Sequence, residues 1–160
     1  DLLMDPDEVG EAFEQLHSEG KVKSFGVSNF STSQVNLLSQ SVPLVAHQVE
    51  ISLKQLQSFN DGVLDQCIVE SMMPMAWSPL GGGTLTDTLS HELKRWATHF
   101  DTTPEVVALA WLMQHPAGIL PVVGTTQEAN LRKAAEAATI QMDRQQWYSL
   151  YQAATGQKLP

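Results

Sequence analysis

The chain has 160 residues, 42% of them hydrophobic and 17% charged, which is one domain's length with enough apolar side chains for a sizeable core, and excludes a disordered or low-complexity protein. Nine Lys and Arg stand against 18 Asp and Glu, a net charge of −9, and the basic residues are scattered, so neither nucleic acid nor an anionic membrane is an expected partner. The single cysteine, Cys67, allows no internal disulfide and no cysteine-based metal site, and fits a reducing cytoplasm.

The longest apolar stretch, residues 106–113, is too short to span a bilayer. The first ten residues, DLLMDPDEVG, are acidic and lack a signal peptide's apolar region; starting on Asp rather than Met predicts that something upstream has been removed. Asp5-Pro6 with Glu8 opens a first helix, with an apolar stripe of Val9, Ala12, Phe13 and Leu16 and an end at Gly20. Ser24 to Ser28 reads as a strand. Ser31 to Gln40 reads as a helix with Val35, Leu37 and Leu38 facing inward. Leu44 to Val49 is a second strand, and Leu53 to Phe59 has no clear period. Asp61 to Ser71 is a helix burying Val63, Leu64, Cys67 and Ile68, followed by a strand from Met73 to Trp77.

Pro79 to Thr86, with Gly81-Gly82-Gly83, is a loop. Leu89 to Phe100 is helical, with Leu93, Trp96 and Ala97 on one side. Thr102-Thr103-Pro104-Glu105 reads as a capping box opening a deeply buried helix through Gln114. Gly118 to Val123 is a fourth strand, Glu128 to Ala138 a helix, and Asp143 caps a last helix that Gly156 ends. Strands alternating with helices mean parallel strands covered by helices. Either a small doubly wound sheet or part of a (β/α)8 barrel fits, since a complete barrel needs roughly 200–250 residues.

In such folds chemistry gathers at the carboxyl ends of the strands. The four ends here carry Ser28-Asn29-Phe30, Gln48-Val49-Glu50, Trp77 to Gly81, and Gly124-Thr125-Thr126. Hydroxyls and amides can bind a carboxamide as donor and acceptor at once, an indole can stack on a planar ring, and a Gly-Thr-Thr turn entering a helix offers donors to a phosphate. Together they describe a nicotinamide dinucleotide across the mouth of a barrel. Taken singly, each has a plainer reading: Ser-Asn as a helix cap or Asx turn, Gln48 as a core amide, Trp77 as packing, the glycines as a flexible loop.

Lys23-Ser24-Phe25-Gly26-Val27-Ser28-Asn29-Phe30, His47-Gln48-Val49-Glu50, Ala76 to Gly83 and Pro121 to Thr126 resemble, in order and spacing, the signature segments of the aldo-keto reductases, nearest in kind to bacterial oxidoreductases of that superfamily. The resemblance implies an α/β fold, the C-terminal half of a (β/α)8 barrel, with residues 1–160 as a partial domain lacking the N-terminal half. It further implies that Ser28, Asn29 and Gln48 hold the nicotinamide carboxamide and that Trp77 stacks on the ring. Ser78, Pro79, Leu80 and Gly81 would line the pyrophosphate loop. Gly124, Thr125 and Thr126 would bind the adenosine-side phosphate, with Asn130 and Arg132 beside the 2′-phosphate.

The cofactor so implied is NADP, with NAD as the other reading: near Gly124 and Asn130, where the family often carries Lys and Arg, this chain is uncharged, and Arg132 and Lys133, further along the helix, are the cations expected to compensate. Phe25 and His47 also depart from the pattern, and His47 reads as a structural hydrogen bonder. The family's Asp–Tyr–Lys–His tetrad finds no match. Tyr148 and Tyr151 fall on the last helix, so no catalytic residue is assigned, and no metal. The implied activity is NAD(P)H-dependent reduction of an aldehyde or ketone, completed by the missing half. The alternatives are a truncated, non-catalytic nucleotide-binding or interaction protein acting through open sheet edges, and a structural half with no ligand.

Overall fold

The computed structural model describes residues 3–82 and 85–158; Gly83 and Thr84 of the glycine-rich loop lie outside the described residues. Helix α1 spans Pro6–Ser18, and the Asp5 carboxylate caps it by accepting from the Asp7 and Glu8 amides at 3.0 and 3.4 Å. It lies shallow, with Ala12 exposed and only Gly10 buried. A Cβ at Gly10 would sit 2.8 Å from that of Ser41, so glycine is what lets the helix approach so closely. Phe13 stacks on Phe25 at 4.1 Å, which accounts for the bulky residue at the start of β1, Phe25–Ser28. A Ser31–Gln34 capping box opens α2, Thr32–Leu38.

Strand β2 is Leu44–Glu50. The stretch without a clear period resolves into a tight Ser52–Gln55 turn and one 3-10 turn, Gln57–Phe59. Then come α3, Val63–Val69, strand β3, Met73–Trp77, and α4, Asp87–His99. Helix α5 is Pro104–Met113, β4 is Leu120–Pro121, and α6, Glu128–Ala135, runs on as a 3-10 turn to Thr139. Helix α7, Arg144–Thr155, starts on an Asp143–Gln146 capping box and ends at Gly156 in the left-handed region.

Three local expectations are corrected. No capping box forms at residues 102–105: Pro104 takes the first helical position, which its fixed φ suits, and pushes Thr103 into extended backbone (φ −105°, ψ 156°) as the cap. Glu105 therefore falls one position too early to bond back. Leu37 and Ile68 are 45% and 48% exposed. In two-turn helices the buried face takes Val35 with Leu38, and Val63 and Leu64 with Cys67; the remaining apolar residue lies about 100° further round. Strand β4 has two residues rather than six. Pro121 cannot donate to a ladder, and after the Val122 amide reaches the Ala76 carbonyl at 2.8 Å the chain leaves β3.

The strands form one parallel sheet in the order β1-β2-β3-β4. Val27, His47, Val49, Pro74 and Ala76 point to the helical side and are buried. Ser28, Gln48, Met75 and Leu120 share a register row on the other face, which stays exposed or half-buried. Val49, Ile51, Ala76, Leu89, Leu93, Trp111, Leu112 and Leu150 make the main core between sheet and helices. Cys67 belongs to a second core under α2, where burial pushes its thiol up to about 11, so it is inert as a nucleophile at neutral pH. Among the described residues no helix is long and apolar enough to cross a membrane.

Candidate cofactor site

The parallel register brings Ser28 beside Gln48 on the uncovered face of the sheet. The Ser28 hydroxyl donates to the Gln48 carbonyl at 3.1 Å, and the Asn29 amide N–H donates to the same oxygen at 2.9 Å. Asn29 adopts φ +55°, a left-handed conformation that asparagine tolerates better than most side chains. It turns the carboxamide toward β3, where the Trp77 indole N–H donates to Asn29 Oδ1 at 2.9 Å. That bond fixes the half-buried indole at the strand end and leaves the Asn29 NH2 group free to donate elsewhere. The Gln48 carboxamide makes no hydrogen bond among the described residues. Ser28, Asn29, Gln48 and Trp77 thus form one cluster.

His47, fully buried behind that cluster, accepts the Phe30 N–H on Nε2 at 3.2 Å. Its Nδ1 has no partner among the described residues. Burial pushes its pKa below the usual imidazole value, partly opposed by the charge of Asp61, so the ring is neutral with its proton on Nδ1. His47 is therefore the structural hydrogen bonder that the sequence indicates.

Beyond Trp77 the chain turns sharply. Ser78 has φ +48°, and the Gly81 amide closes the turn on the Ser78 carbonyl at 2.7 Å. Gly81 has φ +72°, and a Cβ there would meet Ser52 Oγ and Lys54 Cδ at 2.9 Å. The Lys54 ammonium also donates to the Gly82 carbonyl. This loop, the first turn of α5 and the β4–α6 connection enclose a cavity of about 720 Å3, within the range of small-molecule sites. Ser78, Pro79, Leu80, Gly81, Gly124, Thr125 and Asn130 line it as expected residues, as does Lys133, one of the two cations expected to compensate on α6; Gly82, Thr103 and Glu105 join them without having been singled out by the sequence.

Thr126 and Arg132 do not line the cavity. The Arg132 guanidinium reaches Glu128 one turn back at 2.6 and 2.9 Å, on the exposed side of α6. The intervening turn is partly self-satisfied: Thr125 Oγ1 accepts from the Gln127 amide at 3.2 Å, and Asn130 Nδ2 donates to Gln127 Oε1 at 3.2 Å. Lys133, not Arg132, brings the cation, and its ammonium lies 2.7 Å from the Glu136 carboxylate. Tyr148 and Tyr151 pack around Trp147, outside the cavity.

Parallel strands covered by helices on one face, with polar groups and a cavity at their carboxyl ends, define an α/β protein of the (β/α)8-barrel class in which about half of the barrel is present. The chain belongs to the aldo/keto reductase family, whose profile matches residues 3–154. It is 39% identical to the 6-dehydroglucose reductase of Novosphingobium aromaticivorans and 42% identical to the oxidoreductase YdhF of Escherichia coli, in each case over all of this chain and 56% of the relative. The chain thus spans about half the length of these relatives. Among solved structures it superposes on the thermostable aldo-keto reductase Tm1743 with a TM-score of 0.88 at 22% identity, covering 94% of this chain and 55% of that one. It also superposes on an aldo/keto reductase of Klebsiella pneumoniae solved with NADP and acetate, with a TM-score of 0.83 at 27% identity, covering 92% and 54%.

Proposed function

We propose that this chain is the cofactor-binding half of an NAD(P)H-dependent carbonyl reductase. The observation that carries the reading is the Trp77–Asn29 hydrogen bond: it holds a flat indole and a carboxamide together at the strand ends, directly before the loop that walls the cavity. The donor set suits a nicotinamide dinucleotide. Asn29 and Gln48 have donor and acceptor positions to spare for a carboxamide, Trp77 offers an aromatic face, and glycines at 81 and 82 let backbone approach a pyrophosphate. When bound, the cofactor supplies hydride to the carbonyl carbon of an aldehyde or ketone. Ser28, Asn29 and Gln48 would fix which ring face is presented, and the proton for the carbonyl oxygen would come from a general acid on the other half of the barrel. The NADP and acetate in the Klebsiella structure accord with this reading.

Titration of the chain with NADH and NADPH, followed by quenching of tryptophan fluorescence, tests the proposal. Saturable binding is expected, weakened in Asn29→Ala and Gln48→Ala by about 1–3 kcal/mol each, since either leaves a polar partner unpaired. The chain alone should reduce no activated aldehyde, because a positioned general acid contributes about 10²–10⁴-fold. Absence of binding, or unchanged binding in both variants, would overturn the site.

A further inference from the structure

The two nicotinamide dinucleotides differ in charge, and the cavity wall carries few charged side chains of its own. Two charged residues line it among those described, Glu105 and Lys133. The Lys133 ammonium is already matched by Glu136 at 2.7 Å. Glu105 forms no ion pair among the described residues, and the displaced helix cap leaves it out of any capping box. Arg132, the other cation of α6, is held off the cavity by Glu128. Asn130 and Thr125 add neutral amide and hydroxyl groups.

The two cofactors differ only at the adenosine ribose, which carries either a free 2′-hydroxyl or a phosphate monoester. The monoester bears about −1.5 to −2 charges at pH 7 and gains most from cations left unpaired. A hydroxyl instead donates well to a carboxylate, and an acidic residue on the ribose diol against an arginine on the 2′-phosphate is how dinucleotide sites commonly separate the two. A wall holding one unmatched, solvent-exposed carboxylate and one ammonium already paired at the surface favours the diol over the monoester. We propose that this cavity receives the adenosine ribose and selects NAD(H) over NADP(H), with Glu105 as the specificity-determining residue. This rests on the dinucleotide reading above, and it reverses the order of preference that the family resemblance implies.

The test is the ratio of NADH to NADPH dissociation constants, measured by tryptophan quenching on the chain, on Glu105→Gln and on Asn130→Arg. The wild-type chain should bind NADH roughly tenfold or more tightly than NADPH, the scale of one modest charge interaction. Glu105→Gln should narrow the gap from both sides, strengthening NADPH by removing the repulsion and weakening NADH by replacing the carboxylate that accepts from the diol. Asn130→Arg, which adds a cation at the cavity wall, should strengthen NADPH alone. If Glu105 merely complements the α5 dipole, Glu105→Gln would lower stability slightly and leave the ratio unmoved, which overturns the proposal. Equal or tighter wild-type binding of NADPH overturns it as well, with no variant needed. Failure of both nucleotides to bind instead removes the dinucleotide reading itself.

Discussion

His47 shows how one buried side chain can set the backbone of a site. Its Nε2 accepts the Phe30 N–H, and Phe30 follows directly on Asn29, whose left-handed turn brings its carboxamide to Trp77. Protonation would place a second N–H on the ring, facing that donor, and would put a buried charge there that Asp61 only partly offsets. Since the folded-state pKa lies below the ordinary 6.5, the unfolded chain binds the proton more readily. Stability is therefore complete above pH 6.5 and falls as the pH drops below it, by at most about 1.4 kcal/mol per unit for each such group. His115, also depressed by burial and partly opposed by Asp65, adds a slope of the same sign. Chemical denaturation between pH 7.5 and 5 should show this loss. His47→Asn, which keeps an acceptor for Phe30 but does not titrate, should flatten the slope while leaving His115's share. An identical slope in the variant would mean that His47 is not the group responsible.

Elements were legible where cap and period agreed. Asp5, Ser31 and Asp143 each accept the amide bonds that mark a helix start, and four strands appear in the expected order. Reading failed where two local rules competed. At residues 102–105 the Thr-x-x-Glu spacing suggested a box, but proline's preference for the first helical position prevailed, and Glu105 became part of a cavity wall instead. The motif segments at the ends of β1, β2 and β3 hold residues that do come together, whereas position along the chain says little about Arg132, whose rotamer toward Glu128 decides where its charge lies. Non-local packing was hardest to foresee. Trp111 and Trp147 stack at 4.8 Å, and each indole N–H donates to the other's carbonyl at 3.0 Å, clasping α7 to α5. Trp111 is fully buried, so Trp111→Ala should cost about 3–5 kcal/mol in equilibrium denaturation. Trp111→Phe should recover the packing but not the hydrogen bond. A loss below about 1 kcal/mol for the alanine variant would show that α7 is held by something other than this clasp.

At the scale of the molecule, the sheet is covered on one side only. The helices on one side bury Val27, His47, Val49, Pro74 and Ala76, while Met73 and Leu120 on the opposite face are 49% and 42% exposed, with Met75 and Trp77 half-buried between them. In the order β1-β2-β3-β4, β1 and β4 also each keep one edge unpaired within the described sheet. A closed barrel removes both features at once, because the second half supplies strands to the edges and side chains to the interior. The chain by itself retains them. Bare parallel edges flanking an apolar face favour pairing between copies, and the net charge of −9 opposes it only through repulsion that salt screens at distances beyond roughly 8 Å under physiological conditions. Light scattering on the isolated chain should therefore give a mass above 17.6 kDa that rises with concentration and with added salt. Met73→Lys combined with Leu120→Lys, which places charges on the bare face and near the β4 edge, should lower that mass. A monodisperse monomer with a sharp cooperative melt at every concentration would instead mean that the uncovered face is stable in water, and that this half of the barrel needs no partner to fold.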